Sequence, residues 1–322
     1  MRFFVCILKH LVELNCHPNT ILSIFVPEIR PVISRYVRSN TMKNSNDQLP
    51  FQLPVRDQFE SRYQPDQNDR NFMNTLARGL DVIRTFQSHC GPLGNSDIAN
   101  ITGLPKSTIS RMTYTLNKLG YLTQEKGRKY HPSVALLALA YPVLSSLRIR
   151  QQAHDRMSEV ARLTQCTIAL AAPNTDGISM VYVDAFSGST VNTLRMDTGM
   201  RIDMARSSIG RAYLAGIGDD SRQTHLDALA DVHGDDWPQL EERITEARQK
   251  IKDDGFCLVD GEWMSKARAV AVPVIADPKG TIMAISCGAP SFAVSTERLE
   301  NELGPQLVHV AKSLETLVAS DS

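Results

Sequence analysis

The stretch that most constrains what this chain can fold into is residues 102–119, TGLPKSTISRMTYTLNKL. A Thr-Gly pair makes a tight turn, and Pro105 suits a first helical turn, where its missing N–H costs nothing. Ile109, Met112, Leu116 and Leu119 then recur at spacings of three, four and three, which predicts one buried helical stripe. The opposite side carries Lys106, Ser107, Thr108, Ser110, Arg111, Thr113 and Tyr114, with no carboxylate among them. Such a face suits a helix lying in a DNA groove, where cations meet phosphate and hydroxyls reach base edges. Taken alone, the pattern also describes a solvated amphipathic helix, so its neighbours must decide.

Upstream, Leu76, Leu80, Ile83 and Phe86 give a helical stripe within residues 75–88. Ser96 is the expected cap of a short helix holding Ile98, Ala99 and Ile101, with Asp97 in its first turn and Gly103 at its end. Two short helices joined by such a turn make a helix-turn-helix. Downstream, residues 120–123 and 129–131 are β-prone runs around a Glu-Lys-Gly-Arg turn at 125–128. That hairpin is a wing, whose Lys126, Arg128 and Lys129 would sit near a sugar-phosphate backbone. Helices followed by a basic hairpin make a winged helix, a far more specific signal than the second helix alone.

Charge divides along the same lines. Residues 72–132 hold eight Lys or Arg against three acids, a net charge of +5, whereas residues 133–322 hold 18 against 25, a net −7. A basic module joined to an acidic one fits a nucleic-acid reader attached to something that does not touch nucleic acid. Six cysteines form no Cys-x-x-Cys and have no His at zinc-ligand spacing, so neither metal nor cofactor is expected, and a reduced, cytoplasmic setting is. No apolar run reaches about 18 residues, so no membrane partner is expected.

Residues 72–131 resemble the DNA-binding domain of the IclR family of bacterial transcription regulators. The matching pieces are LARGLDVI at 76–83, Pro92-Leu93, Asp97-Ile98-Ala99, TGLPKSTISR at 102–111, Leu119-Gly120-Tyr121-Leu122 and Gly127-Arg128-Lys129-Tyr130. The GLPKST run followed by Ile109 and Arg111 is distinctive of that family, and the likeness continues to about Ala319. It implies double-stranded DNA as a partner, bound as a palindromic operator by a homodimer or tetramer. Lys106, Ser107, Thr108, Ser110, Arg111, Arg128 and Lys129 would be the contacting residues.

The first 71 residues lie outside the likeness. Residues 40–71 are rich in Asn, Gln, Asp, Pro and Ser and read as a disordered arm. Met42 lies at the start of this stretch and is followed directly by its polar run, so residues 1–41 read as a mis-called extension; no signal peptide is expected. The apolar stretch 133–147 reads as a linker helix broken by Pro142, which the resemblance makes a subunit contact. Beyond it the sequence predicts a helix over 149–163 and strands over 166–172, 178–185 and 190–194. Helices over 209–216, 221–230 and 241–253 follow, then strands over 256–259, 267–276 and 281–287 and a closing helix over 296–318. This is an α+β sheet with helices packed on one side. The family implies a GAF/PAS-like effector-binding domain here. The expected organisation is therefore an extension (1–71), a winged helix-turn-helix (72–132), a linker helix (133–147) and an effector-binding domain (148–322).

No metalloprotease, P-loop, nucleophile-elbow or dinucleotide-binding motif is present, so no catalytic residue and no enzyme activity are expected. The best small-molecule site is the loop 201–211, RIDMARSSIGR. Amides of Ser208, Ile209 and Gly210 at a helix start make an anion site, with Ser207 and Ser208 adding hydroxyls. An ordinary serine-capped helix explains the same residues. The resemblance makes this the effector loop and adds Val191 and Leu194 as an apolar wall, together with Asp260, Ala269 and Ser286. Departures from the family pattern fall at Ala205, Arg206, Arg211, Val259, Ala269 and Gly288. Trp263 and Met264 would offer an aromatic and a soft wall or simply fill the core. A small organic acid, including an aromatic one, is the implied ligand. The alternatives are a GAF-fold thiol redox enzyme using Cys166, Cys257 and Cys287, or a constitutive DNA-binding protein whose second domain only dimerises it.

Overall fold

The computed structural model describes residues 69–87, 89, 91–188 and 196–320. The expectations for residues 1–68, for a strand at 190–194 and for Val191 and Leu194 lie outside these.

The first module is built from α1 (Asn74–Arg84), α2 (Asn95–Thr102) and α3 (Lys106–Lys118). Strands β1 (Leu93–Gly94), β2 (Leu122–Gln124) and β3 (Lys129–Pro132) form an antiparallel sheet in the order β1-β3-β2. Val82, Leu93, Ile98, Ile109, Leu122 and Tyr130 form its core. The cap of α2 is Gly94, not Ser96: the Gly94 N–H donates to Asp97 Oδ2 at 2.9 Å, which satisfies the helix start from the third position. Gly103 ends α2 with φ +67°, where a Cβ would be strained.

Three expectations about faces change. Thr113 is buried, not on the groove side: its hydroxyl donates to Asn95 Oδ1 at 3.0 Å and ties α3 to α2. Leu119, at the far end of the stripe, is 63% exposed because α3 has ended at Lys118. Leu76 and Leu80 of α1 also face outward; the core takes Val82 instead, with the expected Phe86 packed against it.

The linker helix α4 (Ala135–Ser146) runs through Pro142 without breaking. Proline removes one N–H, and on a helix with no buried residue the released carbonyl faces water. Val134, Leu137, Leu139, Tyr141 and Val143 are all more than half exposed.

The second module centres on one antiparallel six-stranded sheet, order β6-β5-β4-β9-β8-β7. Its strands are β4 (Thr167–Pro173), β5 (Ser179–Ser187), β6 (Arg201–Asp203), β7 (Cys257–Asp260), β8 (Ala267–Ile275) and β9 (Ile282–Pro290). β6 pairs Arg201 with Val181 and Ile202 with Met180, so the first three residues of the expected loop are an edge strand.

Helices cover both sheet faces rather than one, because successive strand residues point oppositely and both sets are apolar. Ile168, Leu170, Val270, Val272, Ile285 and Cys287 face α5 (Arg148–Thr164) and the closing helix. Ala169, Ala171, Ala271 and Ala284 face α6 (Ser208–Gly216), which is followed by α7 (Asp219–His233) and α8 (Trp237–Asp254). The small residues let α6 lie close. A Cβ on Gly216 would come within 2.6 Å of Pro273 Cβ. The closing helix comes in pieces: a turn at Thr296–Arg298, a π-turn at Leu299–Leu303 and α9 (Gly304–Ser320).

Candidate DNA interface and effector cleft

On α3, Lys106, Ser107, Ser110 and Arg111 are exposed, and Thr108 is half-buried. The hairpin tip turns through Gly127 (φ 96°) and Arg128 (φ 62°), leaving Arg128 and Lys129 exposed. None of Lys106, Arg111, Arg128 and Lys129 makes an ion pair among the described residues. Their charges are therefore available to phosphate oxygens. Tyr114, 61% exposed on the same face, has Lys118 Nζ 5.6 Å from its ring centroid.

In the second module, a cleft opens at the start of α6; it holds about 420 Å³ of empty space when its open mouth is counted, and only about 30 Å³ of that is enclosed. The sequence-selected Ser207, Ser208, Ile209, Ala269 and Ser286 all line it, together with Trp263, Met264 and Gly288. Tyr182, Met196, Ile202, Val259, Ala267 and Arg268 complete the wall. Its chemistry is aromatic and sulfur-bearing on one part and hydroxyl-rich on another, with one cation and no carboxylate among the described residues. Ser207 is the helix cap: its Oγ accepts from Gly210 N at 3.1 Å and donates to Asp203 O at 2.5 Å. That leaves the amides of Ser208 and Ile209 without an acceptor among the described residues, at the positive end of the helix. Burial pushes the Tyr182 phenol well up, so it stays neutral.

Two expected positions, and one departure from the family pattern, lie away from the wall. Gly210 lies behind the wall, where a Cβ would meet the Met204 carbonyl oxygen at 2.2 Å. Its role is close approach of helix to loop. Asp260 does not line the cleft; it pairs with Arg268 Nε at 2.8 Å. Arg268 also donates to Ser291 O and Val294 O, so Asp260 reaches the cleft only through that side chain. Arg206 likewise points away, to Asp236 Oδ2 at 2.6 Å.

Arg211 is 3% exposed on its side chain and forms a two-pronged pair with Glu262. Arg243 of α8 adds a third bond to Glu262 at 2.7 Å. Burial pulls the Glu262 carboxyl upward, but the two arginines outweigh it and hold it below the ordinary glutamate range. Neither Glu262 nor Arg243 stands out in the sequence, because long-range pairing leaves no local pattern. Tyr182 and Arg268 were missed for the same reason.

Among the described residues no cysteine lines the cleft. Burial pushes the Cys257 thiol up to about 12, and its Sγ donates to Ser208 O at 3.4 Å. Cys166 and Cys287 lie in the core layer against α5 and α9, where the neighbouring thiol and burial raise Cys287. Among the described residues no group of three or more His, Cys, Asp or Glu could hold a metal ion, and no helix is long and apolar enough to cross a membrane.

A winged helix-turn-helix followed by a GAF-like domain with a cleft at a helix start defines a DNA-binding regulator. Residues 75–126 match the IclR helix-turn-helix domain, and residues 141–316 match the C-terminal domain of bacterial transcriptional regulators of the IclR type. The chain belongs to the IclR family. It is 31% identical over 261 residues to the Pca regulon regulatory protein of Pseudomonas putida, covering 79% of this chain and 87% of that one. An IclR-family regulator from Brucella abortus shares 37% identity and superposes with a TM-score of 0.68, covering 79% and 95% of the two chains. An IclR homologue from Microbacterium hydrocarbonoxydans, solved with 4-hydroxybenzoate, is 23% identical with a TM-score of 0.61, covering 77% and 98%.

Proposed function

We propose that this transcription regulator binds a palindromic operator as a homodimer and responds to a small aromatic acid held in the cleft at the start of α6. The observation that carries this reading is the lining among the described residues: Trp263 and Tyr182 for a flat apolar body, three serines and two amides without an acceptor for a carboxylate and hydroxyl, and no competing carboxylate. The 4-hydroxybenzoate complex of the Microbacterium relative indicates that this fold accommodates such an acid.

Dimerisation is supported by Leu137, Leu139, Tyr141 and Val143 on α4 and by Leu76 and Leu80 on α1, all exposed apolar side chains that a second subunit would cover. Two recognition helices would then enter successive major grooves. Ser107, Ser110 and Arg111 would meet base edges, and Lys106, Arg128 and Lys129 phosphates. Catalysis forms no part of this reading: no cysteine among the described residues lines the cleft, and the matched relatives are regulators. A second domain that only dimerises would have no use for a cleft of this composition.

The test is a thermal-shift screen of small organic acids paired with operator binding. A ligand present at about 100 times its dissociation constant stabilises by about 2.7 kcal/mol, a readable rise in melting temperature. Ser208→Pro removes one of the two unpartnered amides and should abolish that rise while leaving operator affinity intact. If aromatic acids leave both the melting temperature and operator affinity unmoved, the effector assignment fails.

A further inference from the structure

Glu262 lies in the loop of residues 261–266 between β7 and β8, and the two residues that follow it, Trp263 and Met264, line the cleft. The base of this loop is closed by backbone bonds from Gly261 N to Ala267 O and from Ala267 N to Met264 O, both 2.9 Å. Its other anchor is ionic. Arg211 Nη1 and Nη2 donate to the two Glu262 oxygens at 3.0 and 2.5 Å, and Arg243 Nη1 donates at 2.7 Å. Arg211 Nε donates to Ala205 O at 2.7 Å, so one guanidinium grips both the loop leading into α6 and the loop bearing the aromatic wall. The two arms differ in access to water: the Arg211 side chain is 3% exposed and that of Arg243 is 37% exposed.

We propose that Glu262 latches the effector cleft, its carboxylate holding the Trp263–Met264 wall against the start of α6 until the Arg243 arm releases and the loop swings out. This rests on the reading of the cleft as the effector site. A buried ion pair is no bargain for stability compared with apolar packing, so its position between two cleft walls calls for a use beyond holding the fold. The inner arm is dry and fixed. The outer arm is wet, so water can replace Arg243 at little cost. Glu262 and Arg211 are thus positioning residues: they touch the wall and the helix start, and through them set the distance across the cleft.

The two tryptophans of the chain are Trp237 and Trp263, so Trp237→Phe leaves Trp263 as the sole reporter. In that background, acrylamide quenching reads the wall directly with no acid present. Glu262→Gln should make Trp263 about threefold more quenchable as the open population grows. The dissociation constant for 4-hydroxybenzoate should rise roughly tenfold, carried mainly by faster dissociation. Arg243→Ala should give a smaller gain in quenching, and Arg243→Lys, which keeps the charge, should restore most of the shielding. A purely structural pair would shift the unfolding midpoint and yet leave Trp263 as shielded as in the wild type, so quenching and not stability separates the two. If Glu262→Gln fails to fold, Arg243→Ala carries the test alone, since its side chain lies at the wet end. Unchanged quenching in every folded variant overturns the latch. A wild-type protein whose Trp263 emission ignores a panel of aromatic acids, yet whose variants are more quenchable, keeps the latch and overturns the effector reading.

Discussion

The two modules use their arginines and lysines in opposite ways. Lys106, Arg111, Arg128 and Lys129 of the winged helix are exposed and form no ion pair among the described residues. In the second module the arginines around the cleft are partnered: Arg201 with Asp176, Arg206 with Asp236, Arg211 with Glu262, and Arg268 with Asp260. An exposed, unpartnered cation contributes almost nothing to folding, so its value lies in what arrives from outside. A partnered cation fixes two chain segments relative to each other and is unavailable to a long polyanion. The net charges of +5 and −7 follow the same division. One module leaves its cations open to solvent and the other uses them to hold a cavity in shape.

The comparison breaks most visibly at Arg211. Arg211→Ala leaves Glu262 without its inner partner and should cost about 3–5 kcal/mol of stability, measured by urea unfolding. A loss under about 1 kcal/mol would mean that the buried pair is idle in the fold. Arg111→Ala should do the opposite. Its stability should stay within about 0.5 kcal/mol of wild type, while operator affinity falls by roughly 1–3 kcal/mol if Arg111 pairs with a guanine. A fall of equal size across unrelated operator sequences would make Arg111 a phosphate contact and move it into the class of Lys129. The smallest effect is the pH dependence of the second module. Glu262 is held below its unfolded value, so its contribution is complete above the ordinary glutamate range and is lost as pH falls through the folded value. The wild type should therefore lose stability on acidification more steeply than Glu262→Gln, whose amide does not titrate. Parallel curves would show that the arginines do not favour the charged form.

Much of the first module was legible because its signals are local. The glycine that ends α2, the proline before α3 and the turn at 125–128 are each read within a few residues. Where the expectation failed, a tertiary demand had overridden a local rule. Thr113 looks like a groove residue by helical position, but Asn95 of α2 draws its hydroxyl inward. Ser96 is a good cap by type, but Asp97 reached back to Gly94 first. Pro142 reads as a break, yet the helix around it is exposed, and water can satisfy the carbonyl the proline releases. In the cleft, the serines before α6 announced themselves as a helix start. Tyr182, Arg268 and Glu262 did not, because each is brought in by strands or loops far away in the chain.

By itself the sequence determined most of the helices and strands, though not β1 or β6, the hydroxyl-and-cation face of α3 and the family to which the chain belongs. These rest on periodicity, turn residues and a contiguous motif, all of which act over a few residues. Only the tertiary structure decided which cations are spoken for, which face of α1 is buried, that both sheet faces carry helices, and that Glu262 meets Arg211. Those outcomes depend on which side chains meet across tens of residues of chain, and the free energy of such a meeting is set by burial and partners that no local pattern encodes.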